Sequence, residues 1–227
     1  MSKLLTEQNF KDAASGLQIE VAAIKAVAEV ESRGGGFFSD GRPKILFEAH
    51  IFSSRTGHKY DETHPNISSR KWNKKLYKGG EKEYDRLNEA MALDKDAALQ
   101  SASWGKFQVM GFNAETCGWP NVETFVADMY KDENEHLKAF LGFVKANNLT
   151  KYLQQKDWAK FARGYNGKEY AQNKYDIKMK EAYEKYSKQV IVEVTPEPIK
   201  PDEIPTTDPT INFGGGSSGG TGASGGY

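Results

Sequence analysis

Apolar residues recur three and four positions apart along most of the chain, and this period commits it to helices more firmly than any other feature does. It first shows between Gly16 and Glu31, where Val21, Ile24, Val27 and Ala28 share one face and Gly34-Gly35-Gly36 closes the stretch. The pattern returns over 83–100, 122–130, 133–147, 157–165 and 169–188; in the last of these Tyr175, Met179 and Tyr183 read as a core stripe. The period fails between Phe37 and Phe52, where the run Ile45-Leu46-Phe47 reads as strand and turn. Residues 53–82, rich in Ser, Lys, His and Gly, read as a long polar loop or small subdomain. The predicted architecture is mainly α, with a small β or loop insertion after the first long helix.

Composition changes abruptly near Gln189. Five of the eight prolines follow it, and then comes a Gly/Ser run from Gly214 to Tyr227. Neither stretch can bury a core, so the chain divides into a folded unit, 1–189, and an extended tail, 190–227, suited to a linker or assembly tether. The balance of 31 basic and 31 acidic residues conceals an asymmetry. The tail sets Glu193, Glu197, Asp202, Glu203 and Asp208 against Lys200, a net of −4, which leaves the body at +4. That weak, unclustered charge argues against nucleic acid as a partner and suits a diffuse polyanion. The mean hydropathy of −0.70 and the lack of a long apolar run exclude a membrane span, and the first residues carry no signal-peptide pattern.

Glu31 is the most informative residue. Three or four positions beyond Val27 and Ala28, it ends the apolar stripe with a carboxyl group. Desolvation there would favour the protonated form and predispose Glu31 to act as a general acid; the alternative is an exposed helix-end carboxylate. Glu29, four residues after Lys25, faces the other way as an ordinary solvated pair. Histidines 50, 58, 64 and 136 have no metal-ligand spacing, so no metal or other cofactor is expected and a zinc peptidase is disfavoured. Cys117, the single cysteine, reads as filler rather than nucleophile.

Three segments in order give the chain a family likeness. They are Ala26-Val-Ala-Glu-Val-Glu-Ser-Arg-Gly-Gly-Gly-Phe-Phe38, Gly41-Arg-Pro-Lys-Ile-Leu-Phe-Glu-Ala-His-Ile-Phe52, and Ser101-Ala-Ser-Trp-Gly-Lys-Phe-Gln-Val-Met-Gly-Phe-Asn113. With Tyr165-Asn166-Gly167 they resemble the N-acetylmuramidase family of phage endolysins, and in motif order goose-type lysozymes and soluble lytic transglycosylases. The resemblance spans most of residues 10–188. It implies a lysozyme-like α+β fold and cleavage of the β-1,4 bond between N-acetylmuramic acid and N-acetylglucosamine in peptidoglycan, with Glu31 as the acid.

Glycoside hydrolysis generally needs a second carboxyl group. Asp40 and Glu48 follow Glu31 and are both candidates; Glu48 would share a strand face with His50, and its bland role would be pairing with Arg42. With no second carboxylate, the substrate's own 6-hydroxyl could close on C1 and leave anhydro ends, as in lytic transglycosylases. Gln108, Tyr165 and Asn166, with Ser32 beside the acid, suit hydrogen bonding to acetamido and hydroxyl groups, and Trp104 and Phe107 offer ring faces to sugars. Two routes to the wall are compatible with the sequence: holin-dependent release from the host cytoplasm, or delivery on a virion or injection machine whose proteins hold the tail. A non-catalytic, glycan-holding component of such a machine is the alternative from another class.

Overall fold

In the computed structural model, which describes residues 3–32 and 34–194, ten α-helices enclose a small antiparallel sheet. Helix α1 (Glu7–Leu17) opens with a capping box between Thr6 and Asn9. It ends where Gln18 turns left-handed, at φ 53°. Gln18 therefore splits the stretch from Gly16, and α2 begins only at Val21 and ends at Glu31. Ala22, Ala23, Ile24, Ala26, Val27 and Ala28 are all buried, so α2 is wrapped on nearly every side rather than along one stripe. Its alanines let the long α10 (Tyr175–Val194) lie close against it. Lys25 pairs with Glu7 and not with Glu29, which instead takes Lys185 and Tyr186 from α10. These contacts tie the helix bearing Glu31 to both of its neighbours.

Strands β1 (Ile45–Phe47), β2 (Ala102–Trp104) and β3 (Val109–Met110) pair in that order, with Leu46 opposite Ser103 and Ser103 opposite Met110. Alternation puts Ile45, Phe47, Ala102, Trp104 and Val109 among the buried residues and leaves Leu46, Ser103 and Met110 side by side on the other face. The Ile45–Phe47 run is a strand as expected, whereas the β2–β3 hairpin lies in a stretch for which no strand was predicted. Helix α3 (Ala49–Arg55) was not predicted either; seven residues are too few to show a helical period.

The expected 83–100 helix is two, α4 (Glu83–Leu93) and α5 (Lys95–Gln100), because Asp94 turns extended and its carboxylate accepts the Ala97 N–H at 3.0 Å. Helices α6 (Val122–Met129), α7 (Glu133–Ala146), α8 (Thr150–Gln154) and α9 (Trp158–Asn166) complete the shell. Asn121, Asp132 and Asp157 cap α6, α7 and α9 through their side chains. Between α3 and α4 the chain is mostly loop, held by buried Ile67 and by the Tyr60 hydroxyl donating to Leu93 O. The last helix runs five residues into the stretch read as tail, and residues 195–227 lie outside the described residues.

Buried Glu133, at the start of α7, gathers separate parts of the chain. Its carboxylate accepts N–H bonds from Leu5 and Gly36 and pairs with Lys106 on the β2–β3 hairpin. The N-terminal segment, the loop after Glu31 and the hairpin thus share one anchor. The fold is lysozyme-like, α+β with the sheet forming one wall of a cleft.

Candidate active site

Three chain elements end at a cleft of about 500 Å³. Helix α2 brings Glu31 at its last residue, β1 delivers Glu48 one residue past its end, and α9 contributes Tyr165 and Asn166 at its C-terminus. The outward face of the sheet, Leu46, Ser103 and Met110, lines the cleft between them. Asn166 donates from Nδ2 to Glu31 Oε1 at 2.8 Å and fixes the direction of that carboxyl group. The Tyr165 ring lies against Phe161 and Phe140, and its hydroxyl donates to Phe107 O at 3.3 Å. Burial first, and then the negative charge of Glu31, push the Tyr165 hydroxyl well above the usual phenol range, so it keeps its proton.

Glu48 has a different setting. Tyr77 donates its hydroxyl to Oε2 at 2.6 Å, and His50 Nδ1 lies 3.3 Å from the same oxygen. Arg42, considered above as its partner, pairs instead with Asp40 at 2.6 Å. Asp40 also accepts the Arg42 N–H and holds an exposed turn. It does not line the cleft, so of the two candidate second carboxylates only Glu48 stands in the site with Glu31.

The remaining expectations divide by geometry. Trp104 is only 1% exposed and its indole donates to Leu99 O, so it belongs to the core and cannot stack on a sugar. Strand parity is the reason: Ser103 points to the cleft and Trp104 away from it. Phe107 borders the cleft but is only 4% exposed and stacks on Phe140, 4.8 Å between centroids, so it offers little ring face to a sugar. Gln108 lines the cleft with its amide already engaged. It donates to Gly105 O and Lys44 O and accepts from Ser103 Oγ, which braces the hairpin at the left-handed φ of 52°. Ser32 falls outside the cleft and faces a separate groove beside Lys106 and Tyr186. Tyr175, expected in the core, lines the cleft, while Met179 of the same stripe is fully buried.

Several cleft residues had no role assigned to them from the sequence, although three of them lie within the Ser101–Asn113 segment. Ser103, Met110 and Phe112 reach it through strand pairing and the turn that follows, and Phe112, 37% exposed, is backed by the Arg55 guanidinium at 5.2 Å. Reading 102–104 as a strand would have found Ser103 by alternation with Trp104. Tyr77 lies 29 positions from Glu48, where no local pattern could reveal it. Among the described residues no cluster of three His, Cys, Asp or Glu side chains is arranged to hold a metal ion, and no helix is long and apolar enough to cross a membrane. The Cys117 thiol is pushed up to about 11 by burial and packs beside Gly142, an environment that disfavours the nucleophilic thiolate.

A cleft with one carboxyl group aligned by an asparagine and another held by a tyrosine is arranged for acid–base work. The N-acetylmuramidase family model matches residues 20–187, which contain every one of these groups. A crystal structure of the Burkholderia AP3 phage endolysin superposes with a TM-score of 0.79 at 41% sequence identity, covering 84% of this chain and 73% of that one. No curated protein matches the chain.

Proposed function

The chain belongs to the N-acetylmuramidase family, and on that premise we propose that it hydrolyses the β-1,4 bond between N-acetylmuramic acid and N-acetylglucosamine, with Glu31 as general acid and Glu48 as the second carboxylate. Degradation of peptidoglycan is the activity of the family; the bond and the roles of these residues are the proposal. The observation that carries it is the pairing of Glu31 with Asn166 at the head of the cleft, since an amide donor on one oxygen turns the carboxyl group toward the groove. In the reaction, Glu31 gives its proton to the leaving glycosidic oxygen as the bond from C1 breaks. Glu48 meets the positive charge that develops at C1 and takes a proton from the water that attacks that carbon; exchange with solvent then restores the proton on Glu31, so that one water is consumed per bond. No cofactor is required. Gln108 and Ser103 shape the wall, and Asn166 and Tyr165 present polar groups to the sugar.

Mass spectrometry of purified peptidoglycan after digestion tests this. New reducing N-acetylmuramic acid ends are expected, and Glu31→Gln should lower their yield by at least about a hundredfold. Reducing N-acetylglucosamine ends would reassign the bond. A second reading, lytic transglycosylation, dispenses with the second carboxylate and draws on His50, whose Nδ1 lies 3.3 Å from Glu48 Oε2 and could make that carboxylate an ion-pair partner in the cleft wall. Anhydro-muramic ends, persisting in Glu48→Gln, would select it. A non-catalytic, glycan-holding role predicts no new ends of either kind.

We further propose that residues 1–189 act as the catalytic unit and that the Pro-rich and Gly/Ser-rich stretch beyond them is a tether. Release through a holin or carriage on a virion or injection particle are the two delivery routes for such an arrangement.

A further inference from the structure

Behind Glu48 lies a group of side chains that never reaches the cleft. Glu83 and Arg86, 0% and 1% exposed, form a buried ion pair at 2.7 Å. Glu83 Oε1 accepts the N–H groups of Lys78 and Gly79, and Oε2 accepts that of Phe47. Arg86 Nη1 donates to Phe47 O as well as to Glu83. The pair therefore holds both backbone groups of the residue before Glu48 and the two N–H groups directly after Tyr77. Arg86 Nε and Nη2 find no hydrogen-bond partner; instead the guanidinium lies over the rings of Phe47 and Tyr77, at 5.1 and 5.7 Å. A buried pair is seldom more stabilising than a well-packed apolar substitute, so its worth here is better sought in what it positions.

What it positions is a one-way chain of hydrogen bonds. An indole N–H can only donate, so Trp72 Nε1 must give its hydrogen to Tyr77 Oη, at 2.7 Å. Tyr77 then turns its own hydrogen to Glu48 Oε2, at 2.6 Å. Burial, followed by the neighbouring carboxylate, pushes the Tyr77 phenol well above its ordinary range, so the hydrogen stays on the phenol and Glu48 is the acceptor. Trp72 is 60% exposed yet fixed against the Tyr77 ring in a T-shaped contact. Its direction is set by the hydrogen bond together with that ring contact, both made to Tyr77.

We propose that Tyr77, oriented by Trp72 and seated by the Glu83–Arg86 pair, is the positioning residue that aims the Glu48 carboxylate at the reacting carbon. This rests on the catalytic reading of Glu48 given above.

The experiment measures kcat and KM on soluble glycan strands for Tyr77→Phe, Trp72→Phe, the double variant and Glu48→Gln, together with melting curves. Losing a hydrogen bond to a charged group in the reaction should lower kcat for Tyr77→Phe about ten- to a hundredfold, with KM within about twofold and the melting temperature little changed. Trp72→Phe should lower kcat by less, and should add nothing in the Tyr77→Phe background, because the indole acts only through that phenol. A wild-type kcat in Tyr77→Phe beside an inactive Glu48→Gln overturns the positioning role alone. Additive losses, or a Trp72→Phe effect confined to KM, would overturn the chain by making Trp72 a direct glycan contact. A wild-type kcat in Glu48→Gln overturns the catalytic reading of Glu48, and the positioning role with it.

Discussion

His136 is satisfied as a neutral ring. Lys106 N–H donates to Nδ1 at 3.0 Å, which places the ring proton on Nε2, and Nε2 donates to Met129 O at 2.7 Å. Protonation would forfeit the Lys106 bond, and burial holds the pKa below the ordinary imidazole value despite the nearby charges of Glu133 and Asp132. The sign of the pH dependence follows. The unfolded chain binds the proton more readily, so the contribution of His136 to stability is complete above about pH 6.5 and is lost as pH falls from there toward the lower folded-state value. Urea midpoints at pH 7.5 and 5.5 should therefore differ more in the wild type than in His136→Gln; equal differences would refute it. The same ring explains two glycines. A Cβ on Gly36 would lie 2.4 Å from Nδ1, and one on Gly105, where φ is +71°, would lie 2.6 Å from the ring. Gly105→Ala should cost about 2–4 kcal/mol by urea denaturation, from strain and overpacking together. Gly57→Ala, also at positive φ but with open space around it, should cost only the backbone strain of about 1–2 kcal/mol.

Elements, rather than single residues, decide whether Glu31 and Glu48 meet. Helix α2 is held by α1 and α10, and β1 by α4 through Glu83 and Arg86. Removing one member of that pair, as in Glu83→Ala, should destabilise the protein by about 3–5 kcal/mol, because it leaves an unpaired buried charge. Replacing both, Glu83→Leu with Arg86→Met, should return much of that stability and little of the activity, since an apolar pair cannot hold the N–H groups of Phe47, Lys78 and Gly79. Thermal melts and peptidoglycan turnover on the same two variants check this; activity restored along with stability would show that the pair serves folding alone. The elements also account for what the sequence left hidden. The helical period found α6, α7 and α9, but it could not find the break at Asp94, where a cap overrides a continuous apolar pattern, or the hairpin, whose strands have three and two residues.

At the scale of the molecule, one enclosed core carries the cleft, and the described residues end with α10 lying along α2. If the stretch beyond is only a tether, ending the chain after Val194 should leave peptidoglycan turnover within about twofold of the full-length protein while abolishing incorporation into any particle. Lost turnover would show that residues 195–227 belong to the catalytic unit. The sequence by itself determined the mainly helical class, the strand at Ile45–Phe47 and the place of Glu31 at the end of an apolar helix, because each follows from neighbours a few positions apart. The motif order added Gln108, Tyr165 and Asn166. Only the tertiary structure decided between Asp40 and Glu48 as companions of Glu31 in the cleft, moved Trp104 into the core, brought Tyr175 from the core edge to the cleft lining, and joined Trp72 and Tyr77 to Glu48. Those outcomes depend on contacts between segments some 30 to 60 residues apart, and for Trp104 against Ser103 a one-residue change of strand parity reverses the result.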